Sequence, residues 1–143
     1  MTVLSADSKR ARKEGDVVAV PVAATTDIFM GSLVMNLSSA GEATPAADTA
    51  NGQFLGIALE RADNNPGAAE AIDVKVQTRG VYEIATTETA TIDDVGKLVY
   101  VVDDNTVAFV GTTTNDVLVG RIVEFISANL VAVKLITIFD TDQ

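Results

Sequence analysis

The sequence predicts an all-β protein, a compact barrel or sandwich of about nine strands behind an extended N-terminal arm. Three observations carry that reading. Short apolar runs rich in Val and Ile alternate with turns built on Gly, Asn and Asp. Between Ala71 and Thr78 the alternation is strict, with Ile72, Val74 and Val76 set against Asp73, Lys75 and Gln77, the period of a half-buried strand. Finally, Gly31-Ser-Leu-Val-Met, Asn51-Gly-Gln-Phe-Leu-Gly-Ile-Ala-Leu-Glu60 and Ile72-Asp-Val-Lys-Val76 return as Gly96-Lys-Leu-Val-Tyr, Asn115-Asp-Val-Leu-Val-Gly-Arg-Ile-Val-Glu124 and Val131-Ala-Val-Lys-Leu135. The order is kept while the offset falls from 65 to 64 to 59, so the strand-like words survive and the spacers vary. A unit used twice points to a β shell built from two related halves, at about 28–78 and 93–138, rather than to a catalytic cleft.

Residues 1–15 read as the arm and 16–143 as a single β domain. Val17-Val-Ala-Val-Pro-Val-Ala23 is the first β run, and Pro21, which cannot donate to a ladder, suits an edge strand or a strand start. Ile28–Leu37 is extended and interrupted by Gly31. Ser38–Gly52 is small and polar with Pro45, a long exposed loop of the kind that is functional or mobile. Gln53–Glu60 returns to strand character, Arg61–Ala69 turns about Asn65-Pro66-Gly67, and the alternating Ala71–Thr78 strand ends at Arg79-Gly80.

Val81–Ala85 starts another short strand before a Thr-rich link, Thr86–Thr91. Gly96–Val102 and Thr106–Val110 form a hairpin about Asp103-Asp104-Asn105. Val117–Ile126 is extended, Ser127-Ala128-Asn129 turns, and Leu130–Phe139 closes the domain as a long apolar strand. Only Ala40–Ala50 and Thr86–Asp94 could hold a helical turn.

At 143 residues the chain can bury roughly 70% of its unfolded surface, and with no Trp its core is aliphatic. No apolar run is long enough for a membrane span, and Met1–Gly15 lacks the apolar segment of a secretory signal. Cys and His are both absent. Disulfides, thiolate nucleophiles, the commonest general base and the usual nitrogen and sulfur metal ligands go with them. We expect no enzyme, no catalytic or metal-binding residue and no cofactor.

Charge divides the chain. Residues 1–15 hold Lys9, Arg10, Arg12 and Lys13 against Asp7 and Glu14, leaving 6 basic and 18 acidic residues beyond. An acidic body repels nucleic acid, and a short basic arm suits an acidic protein surface, so Lys9, Arg10, Arg12 and Lys13 are the candidate binding residues.

Other constellations read as structural. Asp93-Asp94 and Asp103-Asp104 lack the spacing of a calcium loop and suit turn formers. Lys75 lies in a strand context rather than at the hairpin tip of a carrier lysine, and its echo at Lys134 places both on a solvent face. Tyr82 and Tyr100 read as core or rim packing. Gly56 and Gly120, matched within the echo, mark corners where the sheet curls into a barrel.

Gly15-Asp-Val-Val-Ala-Val-Pro-Val, Gly31-Ser-Leu-Val, Phe54-Leu-Gly-Ile-Ala, Val74-Lys-Val, Arg79-Gly-Val-Tyr82, Gly96-Lys-Leu-Val-Tyr100, Val119-Gly-Arg-Ile and Val131-Ala-Val-Lys-Leu135, taken in succession, resemble the small bacteriophage head proteins that decorate, or cement, the capsid. The resemblance runs from about Gly15 to Leu135, and neither the first fourteen residues nor the Ser38–Gly52 loop belongs to it. It implies a structural virion protein, made in the host cytoplasm, that assembles as a homotrimer on the capsid's outer surface. Its partner would be the major capsid protein, with neighbouring subunits of the expanded head clamped together and neither nucleic acid nor membrane bound directly. A receptor- or carbohydrate-binding β module of a tail or fibre competes with this reading but would want an aromatic platform, which two Tyr and no Trp supply poorly. A head–tail connector or tail-tube subunit, distinguished by ring symmetry, is the other alternative. A carboxylate-based enzyme would need two convergent acids in a pocket.

Overall fold

A computed structural model describes residues 5–7 and 15–140; Lys9, Arg10, Arg12 and Lys13 lie outside the described residues. The fold is all-β. Its strands are β1 (Val17–Pro21), β2 (Thr26–Ile28), β3 (Leu33–Leu37), β4 (Thr44–Pro45), β5 (Gly52–Ala58), β6 (Ala62–Asn64), β7 (Asp73–Gln77), β8 (Val81–Thr86), β9 (Leu98–Val101), β10 (Thr106–Phe109), β11 (Leu118–Ser127) and β12 (Leu130–Leu135). A single 3-10 turn, Ile92–Asp94, is the one helical element among the described residues. It falls in one of the two stretches expected to hold a helical turn; the other contains β4 instead.

Twelve strands stand where about nine were expected. The surplus is β2, β4 and β6, each of two or three residues, too short to show a period. β4 and β6 lie in segments that read as loop and turn because of their Pro, Asn and Asp, and β2 runs into the start of the extended Ile28–Leu37 segment.

Ten of the strands form two barrels of one topology, and β2 pairs antiparallel with β6 as a separate two-stranded sheet. In the second barrel the closed circular order is β10-β8-β12-β11-β9, and in the first the sheet runs β1-β7-β5-β3-β4. A parallel bridge between Val22 and Ala43 joins the free ends of that first sheet. The parallel pair that closes the second barrel, Val107 opposite Thr86, is its counterpart.

Register makes the correspondence residue by residue. A shift of 64 carries Val20 onto Ile84, Ala43 onto Val107 and Gly56 onto Gly120; a shift of 65 carries Val34 onto Val99; and a shift of 57 carries Val74 onto Val131. Val20 opposite Val74 becomes Ile84 opposite Val131. Val34 opposite Gly56 becomes Val99 opposite Gly120, and in both pairs the ladder then skips one residue, Leu55 or Val119. The same bulge is therefore built twice.

The bulge requires glycine in both copies. A Cβ on Gly56, whose φ is +144°, would collide with the Gln77 carbonyl oxygen and stand 2.8 Å from Val76 Cγ1. On Gly120 it would meet the Lys134 carbonyl oxygen, with Val133 Cγ1 again at 2.8 Å. Only a residue without a side chain lets the neighbouring strand come this close.

The slip in the third word is also explained. Ile57 opposite Gln77 corresponds to Arg121 opposite Lys134, so Val76 matches Val133, and Lys75 and Lys134 are not equivalent positions as the echo suggested. Sliding a strand by two residues leaves every side chain on the same face, so alternation cannot distinguish the two alignments. Both lysines are exposed, in line with the solvent-face expectation.

Each barrel fills its own interior. Val20, Val34, Ala43, Leu55, Ala58, Val74 and Val76 form the first core, and their counterparts Ile84, Val99, Val107, Val119, Ile122, Val131 and Val133 belong to the second. Full burial of such a side chain contributes about 1.5–3 kcal/mol. The outward face of the first barrel is also apolar: Leu33, Met35, Ala46, Phe54 and Ile57 join the second cluster. One barrel thus rests on the other. Two backbone bonds hold the seam: Leu33 N–H to Asp104 O at 2.8 Å and Ile138 N–H to Phe54 O at 2.9 Å.

Candidate functional site: a carboxylate-pinned body and its exposed faces

Gly15 and Asp16 are tied to the sheet at a defined place. Thr78 Oγ1 donates to the Gly15 carbonyl at 3.0 Å, and Thr78 N–H donates to Asp16 O at 2.8 Å. From there one row crosses the sheet: Val17 faces Gln77, Gln77 faces Ile57, and Ile57 faces Leu33. Ile57 and Leu33 line a cleft of about 380 Å³ between the barrels, walled further by Tyr82, Ile84 and Leu130 with Glu83 and Asp104. Two strand spacings of about 4.8 Å separate Val17 from that cleft.

Acidic side chains in the body serve the backbone. Asp48, in the loop before β5, accepts from Thr114 N–H and Asn115 N–H, each at 2.8 Å, and from Asn115 Nδ2 at 3.1 Å. Glu88 accepts from Thr112 Oγ1 at 2.6 Å, Thr87 Oγ1 at 2.7 Å and Phe109 N–H at 2.9 Å. Together the two carboxylates pin both ends of the loop between β10 and β11. Asp94 closes the 3-10 turn by accepting from Thr91 N–H at 2.7 Å, and it pairs with Lys97 Nζ at 2.7 Å. Asp103 accepts from Asn105 N–H at 2.8 Å. Asp94 and Asp103 act as the turn formers their sequence context suggested.

Protonation equilibria follow from these partners. The Thr114 amide, helped by Asn115, holds the Asp48 carboxyl below its ordinary value against a smaller loss of hydration. Burial pushes Glu88 up, but donation from Thr112, Thr87 and Phe109 outweighs it and the net shift is down. Lys97 and the Thr91 amide lower Asp94, and Arg61 lowers Asp27. Every resolved carboxylate shift favours the charged form, whereas a general acid needs its proton held.

Two arginines are also engaged. Arg61 pairs with Asp27 at 2.7 Å and Asp63 at 3.7 Å, and its guanidinium lies 4.9 Å from the Phe29 ring centroid. Arg79 lies within 4.0 Å of Asp16 and Asp140, at 3.6 and 3.9 Å. Among the described residues no three acidic, His or Cys side chains cluster as metal ligands would, and no helix is long and apolar enough to cross a membrane.

Exposed apolar side chains make up the remaining surface of interest. Phe29 and Met30 project at 55% and 71% exposure beside the cleft formed with Ser32, Asp104 and Asn105. Elsewhere on the β9–β10 hairpin, Lys97, Leu98, Tyr100, Phe109 and Val110 line a second apolar cleft of about 280 Å³. Sequence reading found neither, because a single apolar residue in a turn carries no period. Tyr82 and Tyr100 are both half-buried, in keeping with rim packing.

A double β barrel that commits Asp48, Glu88 and Asp94 to its own backbone and leaves Phe29, Met30 and Val110 exposed suits a structural protein. The family model described as phage cement protein matches residues 12–136, and the chain belongs to that phage capsid cement, or decoration, family. No curated protein matches the chain. Its role is therefore structural and capsid-stabilising, and its partner and place are the phage capsid.

Proposed function

We propose that this protein binds the outer surface of the expanded head as a homotrimer and clamps neighbouring subunits of the major capsid protein. The observation that carries the reading is the match to phage cement proteins over 12–136, which includes nearly the whole double barrel and the root of the arm. Residues 1–15 act as the arm and 16–143 as the body, with the two barrels as copies of one unit. Lys9, Arg10, Arg12 and Lys13 meet acidic capsid surface, where ordering the arm is offset by charge pairing and by strand addition. Multivalency supplies affinity, since three weak contacts made by one trimer combine through effective concentration. Neither catalysis nor direct nucleic-acid binding is part of this role: residues 15–140 hold six basic against seventeen acidic side chains, and phosphate binding wants the reverse. Synthesis is in the host cytoplasm and the working location is the virion exterior.

The test adds purified protein to expanded, undecorated heads and measures their rupture temperature. Protection at saturating protein supports the clamp, and none defeats it. Deleting residues 2–14 is expected to weaken head binding and leave the far-UV spectrum of the body unchanged. Equal affinity would remove the arm from the mechanism.

A further inference from the structure

The two barrels correspond residue by residue, yet one of their equivalent faces is covered and the other is open. On the first barrel, Leu33, Met35, Ala46 and Phe54 are buried against the second. The shifts of 65 and 64 carry these onto Leu98, Tyr100, Val110 and Leu118. Here Val110 is 71% exposed and Leu98, Tyr100 and Leu118 are half-exposed, around the 280 Å³ cleft between Lys97 and Val110. A face that the first barrel uses to seat a barrel is repeated on the second and, among the described residues, nothing lies upon it.

How the covered face is filled indicates what fills the open one. The turn after β9 reaches down to it, and the Asp104 carbonyl accepts from Leu33 N–H at 2.8 Å. The corresponding turn of the first barrel, after β3, is Ser38–Gly41, and its Ser38, Ser39, Ala40 and Gly41 are all exposed. Glu42 follows directly, and Lys97 stands at the edge of the open face, its ammonium 5.6 Å from the Phe109 ring centroid.

We propose that the Leu98, Tyr100, Phe109, Val110 and Leu118 face is a copy-to-copy interface that receives the Ser38–Gly41 turn and first barrel of a second copy of this chain. It repeats between chains the seating found within one chain. Glu42 of the incoming copy then lies toward Lys97. Such a contact is heterologous, joining two different surfaces, so it propagates head to tail until rotation closes a ring. The inference names the surface behind the self-assembly in the proposed function, and it stands apart from capsid binding because the purified protein alone tests it.

The chain has no cysteine, so two exposed positions report the contact. Ser39→Cys and Val110→Cys chains of different tag length, mixed and mildly oxidised, are expected to yield a covalent heterodimer, with neither variant cross-linking alone. Light scattering of the parent is expected to give an oligomer, and Val110→Asp to weaken association at least about tenfold with an unchanged circular dichroism spectrum. A monomer at all concentrations would overturn the proposal, as would Val110→Cys pairing with itself, which signals a twofold contact. So would an oligomer that Val110→Asp leaves intact. Head binding by the Val110→Asp chain, read separately, keeps failure here distinct from failure of the capsid role.

Discussion

Replacing Gly120 by Ala places one methyl group against the Lys134 carbonyl oxygen and 2.8 Å from Val133 Cγ1. A carbonyl in a strand ladder cannot swing aside as the end of a long side chain can, so β11 and β12 must part locally. Overpacking of this kind costs about 1–3 kcal/mol, and we expect about 3 because the obstacle is backbone. Gly56→Ala meets the same obstacle at Gln77 O and carries a φ of +144° as well, which adds about 1–2 kcal/mol for a side chain in the left-handed region. Gly15→Ala is the control: nothing lies within 4 Å of its Cβ position, so its effect stays within about 0.5 kcal/mol. Urea unfolding followed by circular dichroism measures all three. At a chain length near 150 residues, 3 kcal/mol corresponds to a loss of roughly 6–12 °C in Tm. The midpoint should move and the slope should not. Because Phe54 and Ile57 of one barrel belong to the core of the other, both variants should shift one shared transition. A near-neutral Gly120→Ala would refute the repeated close approach, and a second separate transition would refute the shared core.

Phe54, 1% exposed at the seam between the barrels, should cost about 3–5 kcal/mol as Phe54→Ala in the same assay, through the cavity left behind. The buried Asn64 side chain donates through Nδ2 to Ala23 O at 3.0 Å and Ala68 O at 2.8 Å, so Asn64→Ala removes both bonds and should destabilise by about 1 kcal/mol for each. Asp48 and Glu88 have folded-state values below their ordinary 3.8 and 4.5. Their stabilisation is therefore full above those ordinary values and is lost as pH falls through the lower folded ones. NMR titration is expected to show the Thr114, Asn115 and Phe109 amide resonances moving only below the ordinary carboxyl range; movement at or above it would show that the clamps are not formed in solution.

What the sequence made legible depended on contrast between neighbouring residues. The words containing Gly56 and Gly120 stood out because a glycine inside an apolar run is conspicuous, and the structure places the same bulge at both. β1 and β8 occupy equivalent barrel positions, yet VVAVP and VYEIAT share little beyond the demand for inward apolar residues at Val20 and Ile84. That demand fixes chemistry at every second position and leaves the rest free, so the echo began too late in both halves. The clamp of Asp48 on Thr114 and Asn115 joins residues 66 and 67 positions apart, and no local pattern announces such a partner. The exposed apolar residues Phe29, Met30 and Val110 were equally silent, since exposure is a property of the folded surface.

The way β1 is tied has a mechanical corollary for the arm role proposed above. Tension arriving at Gly15 passes straight into a strand whose five residues, Val17 to Pro21, are each matched antiparallel to β7. A pull along that strand loads its rungs side by side, in shear, rather than unzipping them one after another. In the proposed role, that pairing would carry the load while the shell beneath it strains.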